Sequence, residues 1–185
     1  MKATGIVRRI DDLGRVVIPK EIRRTMRIRE GDPLEIYTDR EGEVIFKKYS
    51  PIGELAAFAA QYAETLHKTC SLSIVICDRD AVIACSGVSR KDYSDKALSS
   101  ELEQIIESRS LYVHRQGNTP LPVLAEGGTH YISCAMPIIS EGDIAGCVAS
   151  VTDQPGEVRR DMPSGEVETK LILTAAGFLG RQLES

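Results

Sequence analysis

At 185 residues, 42% hydrophobic and 27% charged, the chain has the composition of one or two globular domains and excludes wholesale disorder. No run approaches the roughly 20 apolar residues of a membrane span, and the N-terminus lacks a signal peptide's apolar core, so a cytoplasmic protein is expected. The net charge of −4 is unevenly spread: residues 1–29 hold nine Lys or Arg against three Asp or Glu, a local +6 that leaves −10 for the remainder.

The basic segment organises the chain. Ile6, Val7 and Ile10 read as a short strand interleaved with Arg8 and Arg9, and Asp11-Asp12-Leu13-Gly14 is turn chemistry. Residues 15–18 are a second β-branched run that Pro19 ends, and Pro19 suits the first turn of a helix. In that helix Ile22 and Met26 share one face at i, i+4, while Arg23, Arg24 and Arg27 project elsewhere. Glu30-Gly31-Asp32-Pro33 makes a turn, and residues 34–37 and 44–49 read as strands of a hairpin joined at 39–42. This ββαββ unit, residues 1–50, buries too little apolar surface to stand alone, so an obligate dimer with interleaved strands is expected. An acidic chain with one concentrated basic module aims that module at a polyanion. Arginines that recur across two strands and a helix favour nucleic acid over a merely solvated face.

Ser50-Pro51-Ile52-Gly53 is a breaker-rich joint, which makes 51–53 the linker to a second domain, 54–185. A helix follows from Glu54, its apolar stripe formed by Leu55, Phe58, Ala59, Tyr62 and Leu66. Residues 72–77 and 81–85 flank Asp78-Arg79-Asp80 as a buried hairpin, and Leu98, Leu102, Ile105 and Ile106 mark a helix over 94–108. The Gly- and Pro-rich stretch 114–130 reads as loop with one short strand. Residues 131–139 and 144–151 are long strands around Ser140-Glu141-Gly142-Asp143, and 155–165 is a polar loop. The closing helix, 166–183, carries two apolar stripes: Val167, Leu171, Thr174 and Phe178, and Ile172, Ala176, Leu179 and Leu183. One stripe covers the sheet. The other, with the 55–66 stripe, is expected to build an intersubunit bundle that joins dimers into a tetramer, with Leu179 and Leu183 as the residues holding it.

Five cysteines, Cys70, Cys77, Cys85, Cys134 and Cys147, form no CxxC pair and read as small buried hydrophobes. His67, His114 and His130 are isolated from one another, so no metal site is expected. No nucleophile–base order, paired carboxylates or phosphate loop is present, and no catalytic residue or cofactor is expected.

TGIVRRIDDLGRVVIPKEIRRTMRI, GDPLEIYTD and EVIFKKYSP together resemble the AbrB-like transition-state regulators across residues 1–50. The resemblance implies a swapped-hairpin β-barrel dimer that binds double-stranded DNA, with Arg8, Arg15, Arg23 and Arg24 as the DNA contacts. Residues 51–185 look like a GAF domain, an antiparallel sheet with flanking helices, so the whole is expected to be α+β. The pairing of the two, with the ICDRD segment and the AAGFLGRQLE ending, is similar to sporulation regulators of the forespore. It implies a sequence-specific transcription regulator, activator or repressor, that acts as a homotetramer. The second domain is either a pocket for an unidentified small-molecule effector or a ligand-free assembly module, and no residue is assigned to a ligand. The alternative is an antitoxin that neutralises a partner toxin, since swapped-hairpin modules occur there too. Such proteins usually end in a short disordered acidic tail, whereas 51–185 is patterned as a folded domain.

Overall fold

The computed structural model describes residues 5–155 and 163–184, so Lys2 and most of the expected polar loop (156–162) lie outside the described residues. The chain divides into two compact units, Met1–Tyr49 and Ser50–Ser185.

The first unit holds α1 (Lys20–Thr25), β1 (Leu34–Thr38) and β2 (Val44–Lys48). The two strands pair antiparallel from Leu34↔Lys48 to Thr38↔Val44. Asp39 closes their loop by accepting the backbone N–H groups of Glu41 and Glu43 at 3.0 and 2.8 Å. Residues 6–10 and 15–18, expected as strands, are irregular in the single chain. The turn between them is nevertheless formed. Asp11 Oδ1 accepts from the N–H of Leu13 at 3.0 Å and of Arg15 at 2.8 Å, and Asp11 N donates to Arg15 O at 3.0 Å. Turn chemistry is local and needs only its own few residues, whereas a ladder needs a strand alongside. Among the described residues of one chain β1 pairs only with β2. Many apolar residues of the unit are therefore exposed, Val7, Ile10, Val17, Ile36 and Val44 among them. Met26, on the same helix face as Ile22, is exposed as well.

The second unit runs α2 (Pro51–Glu54), α3 (Ala56–Cys70), β3 (Ser73–Cys77), β4 (Val82–Ser86), α4 (Arg90–Tyr93), α5 (Ser100–Ser108), β5 (Tyr112–Val113), β6 (Tyr131–Ser140), β7 (Asp143–Thr152) and α6 (Gly165–Leu183). Its five strands form one antiparallel sheet in the order β4-β3-β7-β6-β5. The expected joint at 51–53 is a turn of helix instead. Ser50 Oγ accepts the N–H of Gly53 at 3.2 Å, Pro51 occupies the first turn, and Ile52 is buried. α5 begins at Ser100, six residues later than expected. Ser99 caps it by accepting the N–H of Leu102 at 3.0 Å, while Ala97 and Leu98 bridge to Ala81 and Leu124. The short strand expected within 114–130 lies just before it, at Tyr112–Val113.

Alternation along β3 explains why this sheet reads as continuous apolar runs. Ile74 and Ile76 face a cluster with Ala59, Ala63, Leu66, Ile172 and Leu179, so α3 and α6 cover that side. Val75 and Cys77 face Leu98, Leu102, Ile106 and Val123 on the other. A bulge in β6 between Ile132 and Cys134 sends these two residues to opposite faces, where strict alternation would have kept them together. The β6–β7 hairpin closes on Glu141 and Gly142, both with positive φ (49° and 86°), the two-residue turn whose twist matches its strands.

α6 settles which of its stripes meets the sheet. Ile172, Ala176 and Leu179 are buried in the unit's own core. Gly180 permits the approach, because a Cβ there would stand 2.3 Å from the carbonyl oxygen of Ile139 on β6. Leu179 therefore covers its own chain's sheet and cannot hold an intersubunit bundle. The opposite stripe is outward: Val167 and Phe178 are exposed, and the Phe178 ring lies 5.6 Å from Tyr62 and 5.9 Å from Phe58 of α3.

Candidate nucleic-acid interface

The four arginines singled out in the sequence, Arg8, Arg15, Arg23 and Arg24, are all exposed on the first unit. Arg15 ends the 11–15 turn, and its Nε donates to Asp11 Oδ2 at 2.8 Å although the side chain is 70% exposed. The backbone N–H of Arg15, then its guanidinium, hold the Asp11 carboxyl below the ordinary carboxylate range. A depressed folded-state value means that the brace is in place at neutral pH and is lost as pH falls through that value. Arg23 and Arg24 are consecutive in the last turn of α1, a short helix with no buried residue, where basic side chains also suit the helix dipole.

Beyond α1 the chain does something its sequence did not announce. The N–H of Arg27 donates to Arg24 O at 3.3 Å and that of Ile28 to Arg23 O at 2.8 Å, the paired bonds of a Schellman reversal. Arg27 occupies the left-handed position of that reversal with φ 51°, where glycine is usual. The reversal is tied to the hairpin, since Lys48 Nζ donates to Arg27 O at 2.8 Å and stands 3.6 Å from Asp32 Oδ2. Asp32, with its side chain 4% exposed, also accepts the N–H of Arg29 at 2.8 Å. The sequence signal for a helix end is a glycine after the last turn, and Arg27 stands in its place.

The second unit offers less chemistry. Four of its five thiols, Cys77, Cys85, Cys134 and Cys147, are buried. Burial pushes Cys134 up to about 12, and Cys77 is raised by the Cys147 thiol beside it and by burial. At neutral pH a thiol reagent is expected to titrate Cys70 alone in the native protein and all five thiols after denaturation; two or more fast native thiols would contradict this packing. Tyr93, nearly buried, meets His130 at 3.2 Å through its hydroxyl. Among the described residues there is no group of three or more His, Cys, Asp or Glu able to hold a metal, and no helix long and apolar enough to cross a membrane.

A small basic module followed by a larger unit built on one helix-flanked antiparallel sheet is the outline of a two-domain transcription regulator. A family model described as "Stage V sporulation protein T C-terminal, transcription factor" matches residues 54–184, and one described as "Antidote-toxin recognition MazE, bacterial antitoxin" matches 7–53. The chain belongs to the stage V sporulation protein T family. It is 52% identical to stage V sporulation protein T of Bacillus subtilis (strain 168) over 184 residues, 100% of this chain and 99% of that protein. It is 65% identical over 51 residues to the transition state regulatory protein AbrB of the same organism, covering 28% of this chain and 52% of that protein. The solution structure of the N-terminal DNA recognition domain of Bacillus subtilis AbrB is likewise similar, at 65% identity over 26% of this chain and 91% of that one, with a TM-score of 0.23.

Proposed function

We propose that the protein is a sequence-specific DNA-binding regulator of sporulation genes, those of the forespore included, that works in the cytoplasm and is not an enzyme. Residues 1–50 form the DNA-binding domain, 51–53 lead out of it, and 54–185 form the sensory or assembly domain. The observation that carries this reading is the exposure of Arg8, Arg15, Arg23 and Arg24 on one small unit whose sequence is 65% identical to AbrB. Their guanidiniums bind phosphates, which supply most of the affinity, and guanine edges, which the planar fork fits. Two chains interleave through residues 6–10 and 15–18, which doubles the basic surface. The outward aromatic cluster of Phe58, Tyr62 and Phe178 joins two such dimers into a tetramer. The antitoxin reading draws on the match at 7–53 but leaves the folded domain at 54–184 without a role.

Replacing Arg23 or Arg24 by alanine is expected to weaken DNA binding without unfolding the protein, because neither side chain is buried. Each change removes two charges from a dimer, so the slope of log K against log salt should fall by about 2. Unchanged affinity and slope in both variants would overturn the assignment.

A further inference from the structure

We infer that Arg27 is a further DNA-contacting residue, and that Lys48 and Asp32 are the positioning residues that hold it; this rests on the DNA-binding reading above. The backbone reversal after α1 is best served by glycine, which adopts positive φ without penalty. Arg27 takes φ 51° there, so the backbone gains nothing from an arginine. A residue persists in this conformation when its surroundings over-determine it. Here they do: two reversal bonds reach back to Arg23 and Arg24, and Lys48 Nζ caps the Arg27 carbonyl at 2.8 Å. The Lys48 side chain is 25% exposed and faces Asp32, whose carboxylate in turn accepts Arg29 N. Lys48 is thus a basic residue of the module committed to structure, and it fixes the backbone from which the exposed Arg27 side chain leaves, immediately beyond Arg23 and Arg24.

The decisive variant is Arg27→Gly in the full-length chain, because stability and binding are expected to move in opposite directions. The probe is a duplex selected by the wild-type chain from a random-sequence pool. Glycine suits the reversal, so Tm should hold or rise, while affinity falls about tenfold or more and the salt slope drops by about 1 for each arginine lost, or about 2 in a dimer. Arg27→Lys should keep the wild-type slope. Lys48→Met should weaken binding while leaving the slope unchanged, as expected of a residue that positions and does not touch DNA. Arg23→Ala, measured alongside, separates the two readings. Loss in Arg23→Ala with wild-type binding in Arg27→Gly would overturn this inference alone, and wild-type binding in both would overturn the DNA reading beneath it. A lowered Tm in Arg27→Gly would also overturn the inference, since the side chain would then be structural.

Discussion

Glutamate in place of Leu179 is expected to unfold the second unit and not merely to split an assembly. Leu179 is fully buried between α6 and the sheet, within the cluster that includes Ile138, Val148 and Ile172. Truncating such a leucine costs about 2–5 kcal/mol, and forcing a carboxylate into the same site adds several more unless it is neutralised. That sum rivals the whole stability of a domain, about 5–15 kcal/mol. Phe178, one residue earlier, is 41% exposed and rests on Phe58 and Tyr62. Phe178→Glu should therefore lower the urea midpoint only modestly while light scattering reports a dimer in place of a tetramer. Circular dichroism with urea titration checks the first outcome. A Leu179→Glu protein that melts like wild type and simply halves in mass would show the stripes to be assigned the wrong way round.

The two stripes illustrate how far the sequence could be read. Spacing alone placed Ile172, Ala176 and Leu179 on one side of the closing helix and Val167 and Phe178 on another. It could not say which side meets the sheet, because both are apolar. The deciding feature is Gly180, whose missing side chain lets the helix backbone approach β6, and a glycine in a helix has no such meaning until its neighbour is known. The long strands of the second unit were legible for the opposite reason: their apolar runs are buried on both faces and ended by local turn signals such as Asp78 and Glu141-Gly142. Boundaries slipped where one side chain decides them. Ser50 and Ser99 each cap a helix: Ser50 next to Pro51 reads as part of a breaker-rich joint, and Ser99 falls inside a helix that the apolar spacing starts at 94. In the basic unit the arginine pattern was visible in the sequence, but the left-handed turn at Arg27 was not, since arginine carries no propensity for it.

A single substitution at an exposed residue of the first unit is expected to abolish its fold. Ile36 is 62% exposed in the single chain, and a change at such a site ordinarily alters stability by no more than about 0.5 kcal/mol. Ile36 pairs across the hairpin with Phe46, and Leu34 and Val44 lie on the same face two residues away along their strands. Among the described residues, Ile36, Val44 and Phe46 on that face stay exposed, and the segments 6–10 and 15–18 form no ladder. If two chains interleave, both deficits vanish together: each chain's loose segments pair with the other's, and the Ile36 faces become one shared core. The fragment 1–50 should then sediment as a folded dimer whose melting temperature rises with concentration. Ile36→Glu places two carboxylates in that core, at a cost of several kcal/mol for each chain, and the fragment should become an unfolded monomer by sedimentation and circular dichroism. Glu41→Gln, in the hairpin loop, is the matched control and should change neither. A wild-type fragment that stays folded as a monomer, or an Ile36→Glu fragment that still dimerises, would mean that the exposed face is simply solvated and that the interleaved barrel is wrong.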